Sequence, residues 1–200
     1  MYIRPDALRM HPKSIEILQY LSEKLSEKRL QHVISVQEMA VDIASVHEVS
    51  VWHANLAALL HDSAKWMNAQ ELHSAVRRYD IRLDPVEKIN PSLLHPLIGV
   101  KLAIEEFAIT ELEILEAIRN HTTGSPSMGP LSQVLYVADF AEPARTHDAV
   151  HVVRELAYTD LERAVHCVAR AKIEHLLQKG VMIHPNTLHT YNSTLKSVER

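Results

Sequence analysis

Apolar residues recur every three to four positions along almost the whole chain, and that spacing limits it to packed helices. Ile15, Leu18, Leu21 and Leu25 mark one amphipathic helix; Val33, Val36, Ala40 and Ile43 mark a second. Val51, Ala54, Ala57, Ala58 and His61 lie along one face of a third. Asn68 can cap a fourth, through Leu72 and Val76 to about Tyr79. Residues 80–94, with Pro85 and Pro91, are less regular. A helix follows from about Pro96 to Phe107. Thr110 with Glu113 reads as a capping box for the next, which runs to about His121 and is ended by Thr122-Thr123-Gly124-Ser125-Pro126. Another spans about Pro130 to Glu142 and stops at Pro143. One more lies near 148–158. Thr159 with Glu162 reads as a second capping box, for a helix that ends at Gly180. The tail, 181–200, is mixed. Val134 to Val137 suits a strand in isolation, but Leu131 and Ala138 continue a helical face. No segment alternates as a half-buried strand does, and no repeat or linker divides the chain. The expectation is one all-α domain over residues 1–200.

Bulk properties narrow the partners. A net charge of -4 gives no general attraction to nucleic acid or to an anionic membrane, so a negatively charged substrate needs local positive charge. The longest apolar runs, such as Leu56 to Leu60, fall far short of the roughly twenty residues of a membrane span. The first residues, Met1-Tyr2-Ile3-Arg4-Pro5-Asp6, show no signal-peptide core. The lone Cys167 forms no internal disulfide and reads as a small hydrophobe, which fits a reducing cytoplasm.

Histidine is abundant, at 14 residues, and it is the commonest transition-metal ligand. His61-Asp62 ends an Ala/Leu-rich helix. Taken alone, the pair reads more readily as a capping Asp beside a partly exposed His. Its company changes that reading. His32 follows Arg29 on the preceding helix, His95 opens a later one, and His121 ends another. Asp139 sits in the apolar run Val134-Leu135-Tyr136-Val137-Ala138, where a carboxylate is costly without a cation or donors. Four histidines and two aspartates near core-facing positions form an N/O donor set that suits iron, manganese, zinc and similar ions. No thiolate joins them, which disfavours a structural zinc finger. Neither a P-loop nor a dinucleotide fingerprint is present.

The order H…HD…H…H…D resembles the HD superfamily in its version with additional histidines. Finer motifs narrow the resemblance: R-x-x-H at 29–32, LLHD-x-A-K at 59–65, LLH at 93–95, NHTTG at 120–124, AD-x-x-EP-x-R at 138–145 and IHPNT at 183–187. Together, over roughly residues 10–195, they resemble the YqeK family of symmetrical bis(5′-nucleosyl)-tetraphosphatases. The chain departs at Phe140, where a polar residue is common, and at Pro96, where a small residue is common.

The resemblance implies an HD-domain helical bundle, with a motif-bearing core at about 29–145 and C-terminal helices with a nucleotide-contacting tail at about 148–200. It implies symmetrical cleavage of diadenosine tetraphosphate into two ADP, with metal-bound hydroxide as nucleophile. His32, His61, Asp62 and Asp139 would hold one metal, and Asp62 would bridge to a second held by His95 and His121. Iron is the expected metal, as two ions, with manganese or another divalent ion as the alternative. Asp62, Lys65 and Asp139 are the implied catalytic residues. Arg29, His32, Lys65, Thr122, Asp139, Arg145, Gly180, Ile183, His184 and Pro185 are the implied substrate contacts. Arg29 suits a phosphate or a nearby carboxylate equally well. Asn120, Thr122 and Gly124 suit either a phosphate loop or a simple helix stop. The expected products are ADP or GDP, and the enzyme would be a cytoplasmic homodimer. Two other activities stand beside this one: hydrolysis of a different nucleotide by an HD site, and a metal-containing nucleotide sensor with little turnover.

Overall fold

The computed structural model describes residues 4–195; Met1 to Ile3 of the N-terminal stretch and residues 196–200 of the tail lie outside them. Among the described residues there are twelve α-helices, one short 3-10 turn and no strand, as the apolar spacing requires. The chain is all-α. None of the helices is long and apolar enough to cross a membrane.

Four helices frame the centre: α3 (Glu27–Val46), α4 (Val51–Leu60), α8 (Leu112–Asn120) and α9 (Pro130–Ala141). They pack mutually, α3 on α4 and α9, and α8 on α4 and α9. Their shared core includes Val36, Ile43, Leu59, Leu60, Ile118 and Leu135, all buried. Each such aliphatic side chain contributes about 1.5–3 kcal/mol by leaving water. Ser26 and Ser50 cap α3 and α4 through their hydroxyls. A second, smaller core joins α5 (Ala69–Arg78) to α7 (His95–Glu105) through Leu72, Val76, Ile98 and Leu102. Asn68 caps α5, as the sequence suggests, and Glu71 completes a capping box with it. The long α11 (Leu161–Lys179) lies against α9, α10 (Ala149–Ala157) and α12 (Pro185–Thr194). It ends at Gly180, whose φ of 62° is the left-handed cap that glycine supplies.

Several expected details differ. In α2 (Pro12–Lys24) the buried face runs through Ser14, Ile17 and Leu21, and Ile15 is exposed. Residues 80–94 hold a short helix, α6 (Pro85–Ile89), capped by Asp84 with Glu87. The Thr110–Glu113 capping box does not form: α8 starts after Glu111, and Glu113 is drawn instead to His53 across the gap to α4. Asp160, not Thr159, caps α11 by accepting from the Arg163 amide at 3.1 Å. The Thr159 hydroxyl turns back to the Glu155 carbonyl at 3.0 Å. The tail reads as mixed in sequence but folds into α12, with His184 as its cap.

Candidate functional site

Helix ends deliver the site. His61 and His121 stand at the C-terminal caps of α4 and α8, His95 opens α7, Asp139 lies in the last turn of α9, and His32 projects from α3. A helix end leaves carbonyls without intrahelical partners. Three of the histidines use such local carbonyls: Nδ1 of His61 bonds Ala58 O at 2.7 Å, Nδ1 of His95 bonds Ser92 O at 2.6 Å, and Nδ1 of His121 bonds Ile118 O at 2.7 Å. A carbonyl only accepts, so each Nδ1 carries the proton and each Nε2 presents a lone pair to the site. In the fourth, Nδ1 of His32 faces Oε1 of buried Glu142 at 3.2 Å. Glu142 is itself fixed by the Ser35 hydroxyl at 2.8 Å and the Ala144 amide at 2.7 Å.

The four Nε2 atoms converge on Asp62, whose two oxygens divide them. Oδ2 lies 3.5 Å from His61 and 3.9 Å from His32. Oδ1 lies 3.2 Å from His95 and 3.8 Å from His121. Asp139 Oδ1 joins the first set, 3.2 Å from His32 and 3.9 Å from His61. Among the described residues this makes two groups with donor atoms within 4.8 Å of one another, His32–His61–Asp62 and Asp62–His95–His121, fused at Asp62.

The donors fit a divalent metal on grounds internal to the protein. Nε2 of His32 and of His61 are buried with no well-formed hydrogen bond. Nε2 of His95 and His121 are 3.0 Å apart. With both protons on Nδ1, two lone pairs face each other there, an arrangement that a shared cation relieves. Burial pushes His95 down, and burial with the neighbouring His95 and His61 pushes His121 well below the imidazole range, keeping both neutral, the form that ligates. Burial opposes ionisation of Asp62, yet its imidazole neighbours hold it well below the usual carboxylate range. Asp139 is likewise low: burial opposes the charge, and His32, His61, His121 and Lys172 around it together outweigh that cost.

This cluster floors a cavity of about 400 Å³. Arg29, Lys65, Arg145 and Lys172 bring four cationic side chains to its lining. Lys65, expected one turn beyond Asp62, does face it, and burial lowers its pKa. Arg145 reaches back over Pro143 to 3.5 Å from Asp139. Arg29 pairs with Asp62 Oδ2 at 2.9 Å, the carboxylate option of its two readings. Thr122 and His184 line the cavity. Gly180, Ile183 and Pro185 do not: Gly180 is an exposed helix stop, and the wall at that point is Met182, His184 and Thr187. Gly124 serves packing, with φ of 72° and Thr190 of α12 against it so closely that a Cβ would collide. Phe140 and Pro96 pack beside the cluster without entering the cavity lining.

Two residues that sequence reading passed over matter here. Glu142 looks like part of a helix stop before Pro143, but it also stands three residues after Asp139 on the same face. Lys172 interrupts the apolar stripe Val165, Val168, Ala169, Leu176 on α11, an anomaly that marks a partly buried cation. Its Nζ donates to the carbonyls of His121 at 3.2 Å and Thr122 at 2.9 Å, and lies 3.9 Å from the Tyr136 ring centroid.

Known proteins resemble this chain in sequence and fold. The HD domain family model matches residues 29–171. A protein of Halalkalibacterium halodurans named bis(5′-nucleosyl)-tetraphosphatase, symmetrical, is 38% identical over 178 residues, covering 89% of this chain and 95% of its own. Its namesake in Bacillus subtilis is 34% identical, over 88% of this chain and 95% of its own. The crystal structure of a "predicted HD superfamily hydrolase involved in NAD metabolism" from Clostridium acetobutylicum superposes with a TM-score of 0.88 at 32% identity, over 92% of this chain and 97% of that one.

Proposed function

This chain belongs to the HD domain family, and within it to the family of symmetrical bis(5′-nucleosyl)-tetraphosphatases; from that membership and its site we propose that it hydrolyses a dinucleoside tetraphosphate at the central phosphoanhydride, giving two nucleoside diphosphates. The observation that carries this reading is a pair of donor groups fused at Asp62 on the floor of a cation-lined cavity. The names of the relatives supply the substrate class. We take diadenosine tetraphosphate as the substrate and ADP as the product.

His32, His61, Asp62 and Asp139 would hold one ion, and Asp62, His95 and His121 the second. Iron is our reading of the metal from the family resemblance. When bound, such ions acidify coordinated water and offset charge on phosphoryl oxygens. The chain's own residues do the rest. Glu142 and the three backbone carbonyls fix the imidazole tautomers, so that no donor turns during turnover. Lys65 and Arg145 neutralise the phosphate chain, and an Arg fork suits two phosphoryl oxygens at once. Phosphoryl transfer spreads charge over equatorial oxygens, so placed cations of this kind stabilise its transition state. Lys172 ties the His121–Thr122 turn to α11 and keeps the Thr122 hydroxyl, 3.0 Å from His121 Nε2, at the cavity wall. Burial of the whole cluster strengthens each of these interactions. We further read the enzyme as a cytoplasmic homodimer with no nucleic-acid or membrane partner.

Product chromatography after mixing the metal-loaded protein with diadenosine tetraphosphate tests the reaction. A single ADP product supports it. ATP with AMP means attack nearer one end, and contradicts it. No turnover by fully loaded protein favours a sensor or another nucleotide.

A further inference from the structure

A groove of about 390 Å³ adjoins the cavity and has no part in the reaction described above. Phe140 on α9, His147 and Asp148 before α10, and Glu174 and Gln178 on α11 form its walls. Lys172 and His175 line both spaces, so the groove and the cavity meet along one face of α11. Phe140 is partly buried against the core, and His147 meets it edge-on with ring centroids 4.6 Å apart. Asp148, Glu174 and Gln178 are exposed around that pair. An aromatic surface for stacking, with a few polar groups beside it, is the chemistry that receives a nucleobase.

The symmetry of the cleavage demands such a place. Cutting the central anhydride puts one nucleoside and two phosphates on each side of the reacting bond. The cavity offers one seat beside His95, where Ser92 and Leu93 precede that ligand and Met182 faces them. Phe140 directly follows Asp139, which sits with His32 in the other half of the cluster. Arg145, two residues before His147, lines the path between. Resting on the reaction proposed above, we infer that the Phe140–His147 groove seats the second nucleoside of the substrate.

A rival groove of about 270 Å³ adjoins the cavity at Lys65 and His95, walled by Ala64, Met67, Leu72 and Pro91. The ring in its lining is the His95 imidazole, which is already held in the donor cluster with Asp62 and His121, so it offers a base no free stacking partner.

The test uses the full-length, metal-loaded enzyme and two nucleotides. Diadenosine tetraphosphate carries two nucleosides; adenosine 5′-tetraphosphate carries one and serves as a competitive inhibitor. His147→Ala and, separately, the volume-conserving Phe140→Leu should each raise KM for diadenosine tetraphosphate roughly tenfold. The inhibition constant of adenosine 5′-tetraphosphate should not change. Met67→Ala in the rival groove should leave both constants unchanged. Equal rises in both constants, no rise in either, or a selective loss in Met67→Ala would overturn the assignment. Absence of turnover by the unaltered, loaded enzyme would overturn the underlying reaction, and this proposal with it.

Discussion

Replacing Glu142 by Gln isolates what a buried carboxylate does for a histidine it touches. Oε2 of Glu142 accepts from the Ser35 hydroxyl at 2.8 Å and the Ala144 amide at 2.7 Å; Oε1 faces His32 Nδ1 at 3.2 Å. A glutamine has one oxygen. Placed at Oε2, it keeps both of the shorter bonds, and its NH2 then points at His32 Nδ1. Two donors cannot share that contact, so His32 must move its proton to Nε2, the atom that faces Asp139 and Asp62. The ligand atom is lost while the side-chain volume is kept. Partners of this kind are typically worth 10–100-fold in metal affinity, or about 1.4–2.7 kcal/mol. The metal-free fold should lose less than about 1.5 kcal/mol, since the Ser35 and Ala144 bonds survive. Anaerobic calorimetric titration of metal-free protein, with thermal unfolding of the same samples, separates the two effects. Affinity should fall only in the His32 group, because Glu142 does not touch His95 or His121. Unchanged affinity at both groups, in a variant with an unchanged melting temperature, would refute the tautomer argument.

Other perturbations have equally definite outcomes. Lys65→Ala should keep its metal and lose about 10²–10³ in kcat, as for other transition-state donors; unchanged turnover would make Lys65 a bystander. Gly124→Ala should lower the melting temperature by roughly 5–15 °C, since it forces an L-residue to φ of 72° and drives a methyl into Thr190; an unchanged melting temperature would mean that α12 yields freely. For Lys172, burial pulls the amine down to about 8. The unfolded chain therefore holds a proton that the folded one lacks between about pH 8 and 10.4, and folding gains from rising pH across that window. Urea unfolding should show the unaltered protein gaining on Lys172→Met from pH 8 to pH 10; parallel profiles would contradict the assignment.

The residues of the buried His–Asp cluster were legible because each breaks a local rule. His61, His95 and His121 interrupt apolar helix ends, and Asp139 puts a carboxylate in an apolar run, a cost that asks for a partner. What escaped notice depends on contacts between distant segments. Glu113 looks like a capping residue until His53, sixty positions away, takes it. The tail helix escaped because its buried face is Thr187, Thr190 and Thr194, polar residues that leave no apolar period. Thr187 donates to the Thr123 carbonyl at 3.1 Å, which joins the tail to the loop after His121. Lys172 is the intermediate case: its place in an apolar stripe was visible, but the carbonyls it serves were not.

The division of Asp62 between two donor groups is the claim on which the rest depends. Anomalous diffraction from crystals grown anaerobically with ferrous iron measures it directly. Two peaks are expected, one at Oδ2 with His32, His61 and Asp139, the other at Oδ1 with His95 and His121. A single peak, or peaks away from Asp62, would contradict the shared-carboxylate site and the reaction built on it.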